Sequence, residues 1–103
     1  MSQFIITYFG GEHPKTPEEG KKHFESYQQW LQSLGEDVVK PMVPYKNSRT
    51  LNADGSLMES SATSMSGHTI IKAANIDEAI AKVKSCPFFD INGTLEIAEI
   101  VEM

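Results

Sequence analysis

At 103 residues the chain is the size of one domain, too short for a catalytic unit and a separate regulatory one. Apolar residues at 40% and charged residues at 22% suit a folded chain, and a net charge of −5 without a basic cluster excludes nucleic acid and anionic membrane surfaces as partners. The lone Cys86 cannot form an internal disulfide, and the opening MSQFIITYFGG lacks the features of a secretory leader, so a reducing, cytoplasmic setting is expected.

Gln3 to Phe9 is β-branched and aromatic and runs into Gly10-Gly11, which predicts a first strand closed by a turn. Phe4, Ile6 and Tyr8 alternate with Ile5, Thr7 and Phe9, so both faces of this strand should be covered. Thr16-Pro17-Glu18-Glu19 reads as a capping box with proline at the first helical position. On a wheel of about 100° per residue, Phe24, Tyr27, Trp30, Leu31 and Leu34 share one face, with Lys21, Lys22, Glu25, Gln29 and Ser33 opposite. His23 falls inside the apolar arc and should point inward, and Gly35 ends the helix.

Val38 to Lys46 predicts a second strand, which Pro41 and Pro44 confine to an edge or a bulge. Asp54-Gly55 predicts a type I′ hairpin with polar, exposed arms, and Ser60 to Ser66 is expected as loop. Gly67 to Ala73 is a strand with Thr69 and Ile71 on one face and His68 and Ile70 on the other. Asn75 caps a second helix, with Ile76, Ala79, Ile80 and Val83 as its apolar face and Pro87 as its end. Asn92-Gly93 turns the chain into a last strand, Thr94 to Val101. This order predicts one α+β domain over residues 1–103, a ferredoxin-like β-α-β-β-α-β sandwich with an antiparallel sheet. Two helices cover one face of such a sheet. The apolar residues on the other face predict a homodimer.

The residues able to carry chemistry are few. His23 is the candidate catalytic residue, because imidazole is the side chain suited to proton transfer near neutral pH. The competing reading makes it a core-edge histidine bonded to a backbone carbonyl. A pocket is expected between the first helix and the sheet, with Tyr27, His68, Tyr8 and Cys86 as its lining. For Tyr27 core packing competes, for His68 cross-strand polar pairing, and for Cys86, placed after a helix C-terminus, the role of a small buried apolar residue. His13 stands in a loop, as a pocket rim or a solvated residue. Three His and one Cys without ligand-pair spacing predict no metal site, and Gly10-Gly11 followed by Glu12 predicts no nucleotide.

Several segments together resemble the YCII-related (YciI-like, DGPF-type) family of the dimeric α+β barrel superfamily. They are Tyr8-Phe9-Gly10-Gly11, Thr16-Pro17-Glu18-Glu19-Gly20, Trp30-Leu31-Gln32-Ser33-Leu34-Gly35, Ala53-Asp54-Gly55-Ser56, Ser66-Gly67-His68-Thr69-Ile70-Ile71, Cys86-Pro87 and Gly93-Thr94-Leu95-Glu96-Ile97. The resemblance implies a ferredoxin-like protomer whose sheet packs against that of a second copy. It also implies acid-base work on a small organic molecule, lyase-like or isomerase-like, by a histidine on the first helix, which His23 matches, with no cofactor. In the YciI branch an Asp precedes the proline after the second helix; Cys86 stands there in this chain, and Asp90 and Glu96 are the substitutes considered. The alternative is a non-catalytic dimeric module that binds a small ligand or a partner.

Overall fold

In the computed structural model, which describes residues 1–101, Ser2–Gly10 forms β1 and Pro17–Leu34 forms α1. Val38–Pro44 is β2, Met65–Ala73 β3, Ile76–Val83 α2 and Gly93–Glu99 β4. Two 3₁₀ turns absent from the sequence expectations, Gly35–Asp37 and Pro87–Ile91, follow the two helices. The strands make one antiparallel sheet in the order β2-β3-β1-β4. Each half of the chain thus contributes one central and one edge strand, which is the ferredoxin-like α+β arrangement.

The local signals act as expected at both helix starts. Thr16 Oγ1 accepts from the Glu19 N–H at 3.1 Å and Asn75 Oδ1 from the Glu78 N–H at 2.9 Å. The Glu19 carboxylate reaches one residue further back than a capping box requires and accepts from the Lys15 N–H at 2.9 Å. β2 is an edge strand, and its register against β3 slips between Val38 and Lys40 and again before Val43, around Pro41. The second helix ends at Val83, before Pro87, which instead opens a 3₁₀ turn.

Three expectations need correction. The hairpin at Asp54-Gly55 is a three-residue loop rather than type I′: Gly55 N–H donates to Asn52 O at 2.9 Å, Asn52 N–H to Ser56 O at 2.8 Å, and Gly55 alone in the turn has positive φ, at 91°. Asp54 stays in ordinary φ because its carboxylate is engaged by the Ser56 hydroxyl at 2.6 Å and the Ser56 N–H at 2.9 Å, which also hold its pKa below the usual value. The hairpin arms are exposed but not wholly polar, with Leu51 paired to Leu57 and both about two-thirds exposed. Phe24, expected on the buried face of α1, is 60% exposed. Phe24 and Trp30 sit at opposite edges of that face, each about 60° from Tyr27. Trp30 is covered by α2, where its indole N–H donates to Lys82 O, and no second helix covers the Phe24 edge.

The helices bury Phe4, Ile6 and Tyr8 of β1 and Thr69, Ile71 and Ala73 of β3, joined in the core by Tyr27, Trp30, Ala79, Val83, Cys86 and Phe88. Ile5, Thr7 and Phe9 of β1 and His68 and Ile70 of β3 alternate onto the opposite face, which neither helix covers and where they stay half-buried. The molecule is accordingly thin, 43 × 41 × 18 Å, or one sheet layer plus one helix layer.

Candidate functional site

A cavity of about 350 Å³ opens where three segments meet beside the first turns of α1. The loop after β1 contributes Glu12, His13, Pro14 and Lys15, α1 contributes Glu19 and His23, and the 3₁₀ turn after α2 contributes Asp90 and Ile91. The volume lies at the lower end of small-molecule pockets and suits a ligand of about one ring.

The sequence places these groups through backbone geometry. Glu12 N–H donates to Ile91 O at 2.8 Å, and the Asn92 amide donates to the Glu12 carboxylate at 3.0 Å, so the loop is laced to the 3₁₀ turn. Phe88 keys that turn into the sheet edge. A Cβ on Gly11, which has φ 89°, would fall 2.9 Å from the Phe88 ring, and one on Gly93 would overlap it. The aromatic ring therefore occupies space that only two glycines leave free. His23 follows Glu19 by one turn of α1, which puts both on the cavity side.

His23 is half-buried and borders the cavity, facing the loop and the 3₁₀ turn rather than the interior of the sheet. His13 stands on the cavity rim. Asp90, on the 3₁₀ turn, lines the same cavity, whereas Glu96 projects from β4 on the sheet face away from the helices, opposite Thr7. Among the described residues no three His, Cys, Asp or Glu side chains converge into a metal-binding group.

The remaining candidates lie elsewhere. Tyr8 and Tyr27 are in the core, where their hydroxyls bond each other and both reach Thr69 Oγ1, at 2.6 and 2.7 Å respectively. Burial pushes Tyr27 up to about 12 and Tyr8 higher still, so both phenols are held protonated. Cys86 is 3% exposed and its thiol is pushed up to about 11 by burial, which makes it a buried apolar residue with no thiolate to offer. His68 does not share a pocket with His23. It lies on the sheet face away from the helices, with the Tyr45 hydroxyl 2.5 Å from its Nδ1, so the cross-strand pairing reading describes its place. Thr69 was not singled out from the sequence. The signal was available in the alternation of β3, which sets its hydroxyl between Gly67 and Ile71 on a buried face, where a polar group needs a partner.

No family model and no curated protein matches the chain. Among solved structures, a 5-chloro-2-hydroxyhydroquinone dehydrochlorinase of Burkholderia phenoliruptrix AC1100, in complex with 2,5-dihydroxybenzoquinone, has a similar fold. The TM-score is 0.61 over 98% of this chain and 95% of that one, at 14% sequence identity. The likeness covers the whole ferredoxin-like architecture. No helix among the described residues is long and apolar enough to cross a membrane.

Proposed function

We propose that this chain is a YCII-related protein that performs acid-base chemistry on a small organic molecule in the cavity beside α1, with His23 as the proton-transferring residue. The observation that carries this reading is that His23 lines a ring-sized cavity that Asp90 also lines. The similarity in fold to a small-molecule dehydrochlorinase supports it.

In this reading the imidazole takes a proton from the bound molecule and becomes a cation, which the carboxylates that line the cavity stabilise. An isomerase-like outcome returns the proton to a second carbon; a lyase-like outcome releases a leaving group with its electron pair as the double bond forms. Neither needs an oxidant or a cofactor. Tyr8, Tyr27 and Cys86, buried in the core, keep their protons and take no part in the transfer.

Two copies are proposed to pack sheet against sheet, because Ile5, Phe9 and Ile70 otherwise face water. Sedimentation at micromolar concentration should show a dimer burying more than ~1,000 Å². A single species of ~11 kDa would remove it.

The test of the chemistry uses resorcinol, a neutral ring whose carbon-bound hydrogens exchange by proton transfer. In D₂O the protein should accelerate that exchange, and His23→Gln should lower the acceleration by about 100-fold or more. Exchange that survives in a folded His23→Gln protein overturns the role of His23. Resorcinol that perturbs the His23 ring signals without any exchange favours the non-catalytic binding module.

A further inference from the structure

The charges around the cavity are unbalanced, and the imbalance bears on which ligands can enter as well as on proton transfer. Three carboxylates, Glu12, Glu19 and Asp90, face one ammonium, Lys15, and the two imidazoles add no charge when neutral. The carboxylates that have partners are held by neutral donors: Glu12 by the Asn92 amide and Glu19 by the Lys15 backbone N–H. Both ion pairs among the described residues lie elsewhere, on Lys82, which binds Asp37 at 2.5 Å and Glu78 at 3.1 Å. There the ammonium lowers the Glu78 pKa, and its own is raised by the Asp37 carboxylate. Nothing comparable neutralises the cavity.

The start of α1 beside the cavity is no counterweight. Thr16 accepts from the Glu19 N–H through its side chain and from the Gly20 N–H through its carbonyl, and Glu18 and Glu19 already sit in the positive first turn. The chain as a whole, at −5, repels an approaching anion further. What the cavity offers a ligand is a set of acceptor oxygens at the rim and the apolar surfaces of Pro14 and Ile91.

We infer that the cavity takes small molecules that carry hydrogen-bond donors without negative charge, hydroxyl or ammonium compounds of about one ring, and rejects carboxylates and phosphates. This rests on the proposed site and adds the class of ligand. A hydroxyl hydrogen or an ammonium satisfies the carboxylates; an anion meets three carboxylates against the single Lys15 ammonium within contact distances shorter than the Debye length.

The experiment uses benzylamine, benzyl alcohol and benzoate, which share one ring and differ in charge, with inorganic phosphate as a fourth probe. Binding is followed through the ring signals of His13 and His23 by NMR. Benzylamine should bind at least about tenfold more tightly than benzoate, equivalent to ~1.4 kcal/mol, with benzyl alcohol between them and phosphate without effect. Asp90→Asn should narrow the benzylamine-to-benzoate ratio several-fold. Benzoate or phosphate binding as tightly as benzylamine, an unchanged ratio in a folded Asp90→Asn protein, or no binding of any probe overturns the inference. The two readings fail separately. The inferred order without resorcinol exchange removes the acid-base chemistry alone, and exchange with benzoate preferred removes the charge selection alone.

Discussion

Two polar clusters lie one turn apart along α1, and they differ in kind. Tyr27 points into the core and closes a triangle of hydroxyls with Tyr8 and Thr69. His23 faces a cavity among carboxylates that neutral donors hold. The inner cluster is complete: each hydroxyl has partners, burial keeps the phenols protonated, and no buried side-chain polar atom among the described residues lacks a partner. The outer one is open to a ligand. Titratable residues gathered in one place therefore do not by themselves make a site; what separates the two clusters is whether protein groups already use their hydrogen-bonding capacity.

That contrast can be broken most forcefully at the inner cluster. Trp30, 5% exposed and packed on Tyr27 at a ring distance of 5.4 Å, walls it off from water. Trp30→Ala should cost ~3 to 5 kcal/mol in chemical denaturation. A variant as stable as the parent would show that the inner cluster is not sealed.

Alkaline pH should open the same cluster next. A phenol whose folded pKa is raised stabilises the fold below its unfolded value, and that contribution is lost as pH climbs through the folded one. For Tyr27 the window runs from 10.0 to about 12, and for the Cys86 thiol from 9.0 to about 11. Denaturation midpoints should hold from pH 7 to 9 and then fall, with Tyr27 accounting for on the order of 2 kcal/mol. Tyr27→Phe should flatten the decline. A midpoint constant to pH 11 would contradict the burial.

Thr69→Val removes one corner of the triangle and leaves the two phenols to bond each other, so about 1 kcal/mol of stability should be lost. The smallest effect on stability belongs to the outer cluster. His23→Gln and Asp90→Asn should each lie within ~0.5 kcal/mol of the parent, while His23→Gln suppresses resorcinol exchange. A large destabilisation by His23→Gln would turn the comparison around and make the histidine part of the core.

How far these clusters were legible from sequence follows from the range of the forces that build them. Helix starts at Thr16 and Asn75, the edge placement of β2 and the inward stripe of Tyr27 and Trp30 depend on neighbours within a turn, and these are visible in the string. Reading His23 as inward captured its arc on the helix but not its surroundings. A loop 10 residues upstream and a 3₁₀ turn near residue 90 create those, and no local signal announces their meeting. His68 was assigned to the wrong company for the same reason. Alternation sets it opposite Thr69, and only the packing of both helices on the Thr69 face shows that His68 is turned away from them. The hairpin turn was misread because Asp-Gly serves two loop lengths, and the Ser56 contacts with Asp54 decide between them.

The Phe88 ring, seated between Gly11 and Gly93, fixes the 3₁₀ turn that carries Asp90 and Ile91. A wall pinned in this way has few arrangements left to lose when a ligand arrives, so little conformational entropy opposes binding from that side. Phe88→Leu would leave the ligand-facing atoms unchanged and still weaken binding, through an unfavourable entropy visible by calorimetry. In the proposed binding reading, affinity is thereby tied to an aromatic residue behind the wall that the ligand meets.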